Sequence, residues 1–347
     1  LHKCDNNRAT RMERLCPACR LFGWVFGRPG VEEGELPISA AGAYRGRLKV
    51  SHAECVEEHP WGETPIPLAI LSTPKPTTSR FYLVDGNGKP IAGQEDSVSG
   101  YDGDVAGTPN RLRGRKIYRR HTEVTAQEYQ RAGQRRDDQN RTIRGVVGPD
   151  SRFTFRIHFE NLAKEELGGL LWSIELEKNW CHRLGMARPL GFGSVQVCVT
   201  ELLHFDPNAR YQANLEQTGV NSILGHKGDL VEAFKKRIVT LYAQQPAQQP
   251  SHRHGATLQD QLAHLYKPSF ESLPPVQDLK ALLGPEQPQL PVHYPRSEVA
   301  PTEDGKNFEW FMGNKRSGKD SGPRLALPLA PDDTQGFPLL NKQGNTP

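Results

Sequence analysis

Between residues 152 and 159 the chain reads RFTFRIHF, and its apolar and polar side chains alternate. Phe153, Phe155, Ile157 and Phe159 fall on one side of an extended chain and Arg152, Thr154, Arg156 and His158 on the other. This predicts a strand with one buried face and one cationic, hydrated face. The following stretch, NLAKEELGGLLWSIELEKNW, changes period. Leu167, Leu170, Leu171 and Ile174 recur at the spacing of one helical face, with Asn161 placed as the cap. Gly168 and Gly169 each lower the stability of an exposed helix interior by about 1 kcal/mol, unless close packing requires them. After CHRLGMARPLGFG the period returns to two in SVQVCVTEL, with Val195, Val197 and Val199 on one side.

Shorter strands are expected at YRGRLKV (44–50) and SRFYLV (79–84), each bounded by turn residues. Residues 85–110, rich in Gly and Asp and without a period, read as one long loop. Beyond residue 242 the composition changes: fifteen of the 28 prolines lie in this final part. Proline removes backbone donors and limits helix growth, so an extension that wraps over the domain or a partner is expected. Its short ordered pieces are LQDQLAHLY at 258–266 and an aromatic anchor, NFEWFMGN, at 307–314. The expected division is 1–241, with a cysteine-bearing segment over about 1–60, and 242–347.

The succession strand, helix, glycine-rich turn, strand makes the fold class α+β and is half of the split βαβ arrangement of RNA-recognition folds. The glycines follow the helix and precede a strand, the reverse of a dinucleotide fingerprint, and no GKS or GKT stands at P-loop spacing. Six cysteines in 347 residues are too sparse for a disulfide scaffold. No apolar run is long enough to span a membrane, and no secretory signal opens the chain, so a cytoplasmic setting is expected. A first residue of Leu suggests a processed or trimmed polypeptide. The net charge is only +4, but residues 107–144 carry eleven Arg or Lys against four Asp or Glu. A solvated loop and a polyanion-binding surface both fit that excess.

Cys16 and Cys19 form a CxxC around Pro17 and Ala18, preceded by DNNRATRMERL rather than the strand a redox pair requires. With Cys4 and Cys55 they supply four thiolates, the composition of a structural tetrahedral zinc site. His52, His59 or His2 could replace one thiolate. No pattern nearby supplies a water ligand with a general base, and Cys181 and Cys198 read as buried thiols. In the glycine loop, Gly185, Gly191 and Gly193 allow tight turns while His182, Arg183 and Arg188 bring positive charge. Amides freed by such a turn can point at phosphate oxygens, although a plain helix-to-strand connection has the same composition. NRLRGRKIYRRH adds Arg111, Arg113, Arg115, Lys116 and Tyr118, the last able to stack on a base or pack inward. Neither segment resembles a base-reading helix, so phosphate tracking with little sequence preference is expected.

CPACRLFG (16–23), STPKPTTSRFYL (72–83), RGRKIYRRH (113–121) and LGMARPLGFGSV (184–195), taken together, resemble the successive signatures of the RAMP superfamily, the backbone proteins of type III CRISPR effectors. The proline-rich continuation is similar to the C-terminal part of the single-chain type III-E effector. The resemblance implies a ferredoxin-like (RRM-like) core with an inserted zinc finger. It also implies a backbone module that binds guide RNA (crRNA) and target RNA beside adjacent RAMP modules in antiviral defence, with a caspase-like peptidase as a further partner. In larger assemblies of this family a loop aspartate and a divalent ion such as Mg2+ cut target RNA. Asp96, Asp102 and Asp104 are the candidates here, which sets a metal-dependent endoribonuclease beside the non-catalytic reading. A zinc-stabilised scaffold without an RNA role is the third class. Such modules open with a core strand ahead of the finger, and this sequence starts close to the first cysteine, so that strand is expected upstream in a longer polypeptide, from another chain, or not at all.

Overall fold

The structure, a computed structural model, describes residues 15–26, 42–62, 64–69, 71, 79–93, 101, 103–105, 107–113, 117–130, 142–212, 218–243, 268–300, 307–315 and 324–346. Cys4, His2, Asp96, Asp102, Arg115, Lys116 and the 258–266 segment lie outside these residues. The chain is mixed α+β, and among the described residues all strand pairs are antiparallel and two-stranded. It forms two compact units that alternate along the sequence: 1–61, 146–174 and 199–267 make the first, and 62–145, 175–198 and 268–347 the second.

In the first unit the alternating stretch finds its partner in residues 48–57. Leu48–Val50 pairs with Ile157–Phe159, and Glu54–Glu57 with Arg152–Thr154. The ladder is interrupted where Ser51 Oγ accepts the Arg156 amide (2.9 Å), and it continues through the Gly148 amide to the His59 carbonyl (2.6 Å). The expected single strand is therefore two, with residues 155 and 156 between them, although the Ser51 amide still donates to the Arg156 carbonyl at 2.9 Å. Burial also departs from the pattern. Ile157 and Phe159 are half-buried, but Phe153 is 48% and Phe155 38% exposed. The helical layer explains this, because the core of Leu167, Leu171 and Leu202 takes in Phe159 at one end of the strand only.

That layer is built from the helices Lys164–Glu175 and Lys227–Ala243. Gly168 shows why the glycine pair is tolerated: a Cβ there would lie 1.9 Å from the Leu230 carbonyl oxygen, and one on Gly169 3.0 Å from the Phe234 ring. Bare backbone lets the helices meet, and Leu230 and Val231 join the core. Asn161 is not the cap. It sits at φ +49°, and the helix start is closed by Glu166, whose Oε2 accepts the Ala163 amide at 3.0 Å. Glu166 also meets Arg20 (2.8 Å) and Arg47 (3.6 Å), tying the cysteine-bearing segment and the ribbon to the helix. Of the expected strand 194–202 only Ser194–Val195 enters a ladder, yet the alternation survives in burial: Val195, Val197 and Val199 are half-buried while Gln196, Cys198 and Thr200 are exposed. Cys198 is thus an exposed thiol, contrary to expectation, whereas Cys181 is buried.

In the second unit SRFYLV is a 3-10 turn, Ser79–Phe81, followed by the two-residue strand Leu83–Val84. Phe81 enters an aromatic core with Trp310 and Leu340, flanked by Tyr82, Tyr294, Phe311 and Phe337. Trp310 is fully buried and its Nε1 donates to the Pro338 carbonyl (3.0 Å), so the helix Asn307–Lys315 anchors the C-terminal segment. No described helix is long and apolar enough to cross a membrane.

Gly168→Ala should lower the stability of the chain by about 1–3 kcal/mol, because the added carbon meets rigid backbone. Gly169→Ala should cost less, since a ring can shift. Urea unfolding followed by tryptophan fluorescence checks both, and an unchanged midpoint for Gly168→Ala would contradict the helix contact.

Candidate nucleic-acid interface

The glycine loop is the tip of a hairpin. His182–Arg183 pairs with Ser194–Val195, and the Leu184 amide donates to the Gly193 carbonyl at 2.8 Å. Gly193 has φ +77°, and a Cβ there would stand 1.8 Å from the Leu184 carbonyl oxygen, so only glycine closes this neck. Within the loop the turn Arg188–Leu190 points Leu190 into the core, fully buried. The opposite side faces out: Leu184 is 65% and Met186 73% exposed. Among the described residues, the amides of Gly185, Met186, Ala187 and Arg188 have no acceptor.

Arg183 holds this loop from inside. Its guanidinium donates to Ser194 Oγ, to the Arg188 carbonyl (2.7 Å) and to the Gly191 carbonyl (3.5 Å). Burial, with Arg120 and Arg188 nearby, pushes its pKa down to about 10, so it is still a cation at neutral pH. Arg188 is exposed and lies over the Tyr118 ring at 5.7 Å. Tyr118 itself packs inward, edge-on to Tyr294 at 5.1 Å between centroids, and burial raises its pKa. The loop therefore gathers Tyr118, Arg183, Arg188, Gly191 and Gly193, with His182 at its base.

The arginine segment divides in two. Arg111 is exposed, on the strand Arg111–Leu112 that pairs with Leu83–Val84. Arg113 turns the other way and donates to the carbonyls of Leu327 and Pro328. Arg119 does the same to Ala281 and Ala330, and lies 3.6 Å from Asp333. Burial and Arg296 push the Arg119 pKa down to about 10, and Asp333 works against that shift. Sequence reading missed these clamps. Their signal was the proline-rich tail, whose carbonyls lack backbone donors of their own.

Asp104 is exposed at a tight turn, where its Oδ1 accepts the Gly107 amide at 3.0 Å. In the cysteine segment, Cys16 begins the helix Pro17–Phe22 and its Sγ accepts the Cys19 amide at 3.4 Å. The pair suits half of a tetrahedral shell. Cys55 is exposed on the ribbon opposite Phe153, and His59 meets Glu57 at 3.2 Å. Among the described residues no third His, Cys, Asp or Glu completes a metal-binding group.

No family model matches the sequence, and no curated protein matches it significantly.

His121 gives the second unit a pH dependence. Burial, together with Arg183, Arg296 and Arg119, pushes its pKa down to about 4, and only Glu128 opposes. An unfolded imidazole protonates near 6.5, so the stabilisation is complete above that pH and is lost as pH falls toward 4, by about 3 kcal/mol in total. His121→Asn should flatten the stability profile between pH 6.5 and 4 relative to the parent, as read by thermal melting across that range.

Proposed function

We propose that this chain is a guide-RNA- and target-RNA-binding backbone module of an RNA-guided, RNA-targeting effector used in antiviral defence, with a ferredoxin-like core of the RAMP type. One observation carries the reading: a loop at 184–188 that presents four unclaimed amides beside exposed Arg188, on a turn braced by buried Arg183. Amides without an acceptor, with a guanidinium beside them, can donate to the oxygens of a phosphate and require no particular base. Tyr118 is packed inward, which favours backbone tracking over base stacking. The ribbon of 48–57 with 152–159 and the helix Lys164–Glu175 packed beside it are strand and helix elements that such a core would use. Adjacent modules of the same effector are its expected neighbours, in the cytoplasm, and cleavage with Mg2+ belongs to the wider assembly.

Cys16 and Cys19 would hold a structural zinc ion, with Cys4 and Cys55 as the remaining ligands to test. The metal would supply a cross-link to a segment too polar to form a core of its own.

Single-stranded RNA should bind the full chain with an affinity that falls with salt. Arg111→Ala with Arg188→Ala should reduce the log–log salt slope by about 1.4, or about 0.7 per lost phosphate contact. Fluorescence anisotropy at several salt concentrations reads this, and an unchanged slope in a folded double variant would overturn the proposed surface. Metal analysis should find one zinc per chain, lost in a Cys16→Ser, Cys19→Ser variant. Zinc-free protein in which Cys4, Cys16, Cys19 and Cys55 all react would remove the metal from the account.

A further inference from the structure

The polar face of the ribbon in the first unit takes no part in the surface described above. Strand register places Lys49 directly opposite His158, flanked by the pairs Leu48 with Phe159 and Val50 with Ile157. Because side chains alternate across a strand, Lys49 and His158 share the face opposite the one that Phe159 turns to the core. There they line a cleft of about 280 Å³ with Gly46, Arg47 and Glu160.

Its charges are unevenly committed. Glu160 is taken by Arg45. Arg47 donates to the Asn161 carbonyl at 2.7 Å and lies 3.6 Å from Glu166. Lys49 and His158 are exposed, and neither has a hydrogen-bond or ion-pair partner among the described residues. The cleft therefore offers an ammonium and an imidazole N–H, with a guanidinium at the rim and its own carboxylate already paired with Arg45. An oxyanion seated between the two accepts from both donors.

We propose that this cleft is a phosphate-binding site, and that its phosphate is a phosphodiester of the bound RNA, a second grip in addition to the glycine loop. The proposal rests on the RNA-binding reading for the source of the phosphate, but the site itself stands on the ribbon geometry.

Two measurements on the full chain test it. In the first, inorganic phosphate is titrated while the His158 imidazole signals are followed by NMR. The signals should move in the parent chain and in Lys49→Arg, and stay in place in Lys49→Ala. In the second, the salt slope of single-stranded RNA binding is compared between the parent and Lys49→Ala. The variant should lose about 0.7 of the slope, and Lys49→Arg should restore it. Lys49 is exposed, so a thermal midpoint equal to the parent's confirms that Lys49→Ala is folded.

Signals that do not move with phosphate overturn the site. If RNA binds and depends on Arg111 and Arg188 but not on Lys49, the second grip is wrong and the reading of the glycine loop stands. If RNA does not bind at all while phosphate still moves the His158 signals, the functional reading fails and the cleft is a site for free phosphate.

Discussion

Proline cannot donate a backbone hydrogen bond, and in the second unit arginine side chains supply the donors that a proline-rich segment lacks. Arg113 reaches Leu327 and Pro328, Arg119 reaches Ala281 and Ala330, and Arg296 holds Asp333 through both its carboxylate and its carbonyl. A carbonyl left without a partner in a closed interior loses free energy comparable to a missing hydrogen bond. Stretches of this segment outside its helices, and the last carbonyls of a helix that runs into proline, are therefore held where cations are aimed at them. The aromatic cluster around Trp310 adds apolar burial to the same segment.

The same device shapes the glycine loop. Arg183 binds the loop's inner carbonyls and Leu190 fills the core beneath it, so the turn is fixed from below and its outer amides are left to solvent. A surface preorganised in this way needs little ordering when a ligand arrives, and ordering is a main opposing term in binding. Division of labour among neighbouring arginines follows from geometry: Arg183 faces in and sets the shape, Arg111 faces out, and exposed Arg188 lies at the rim, over Tyr118 and donating to the Arg183 carbonyl at 3.4 Å.

Local features of the sequence were the legible ones. The helix over 164–175, the close approach at Gly168, the tight neck at Gly193 and the aromatic anchor at 307–315 each follow from residues adjacent in the chain. Long-range partnerships were not legible. Arg113 in NRLRGRKIYRRH looks no different from Arg111, because what separates them is a pair of carbonyls 214 and 215 positions away. Alternation at 152–159 fixed which side chains share a face, but how much of that face is covered depends on where a distant helix ends. Cys198 shows the same limit: its strand-like surroundings suggested burial, and it occupies the outward side of the alternation. Asn161 is a good capping residue by type, yet Glu166 reaches the free amide first.

The alternation of the two units along the chain has a consequence for the order of assembly. Residues 48–60 and 147–159 form one ribbon, and the whole stretch from 62 to 145 leaves and returns between its strands. That excursion is secured by contacts to residues beyond 268, such as those of Arg113 and Arg119, which are made after it. The ribbon can close once residue 159 has been made, whereas the arginine segment stays unclasped until Ala281, Leu327, Pro328 and Ala330 have followed. Contacts of such long sequence separation slow folding, and here they fall on the second unit.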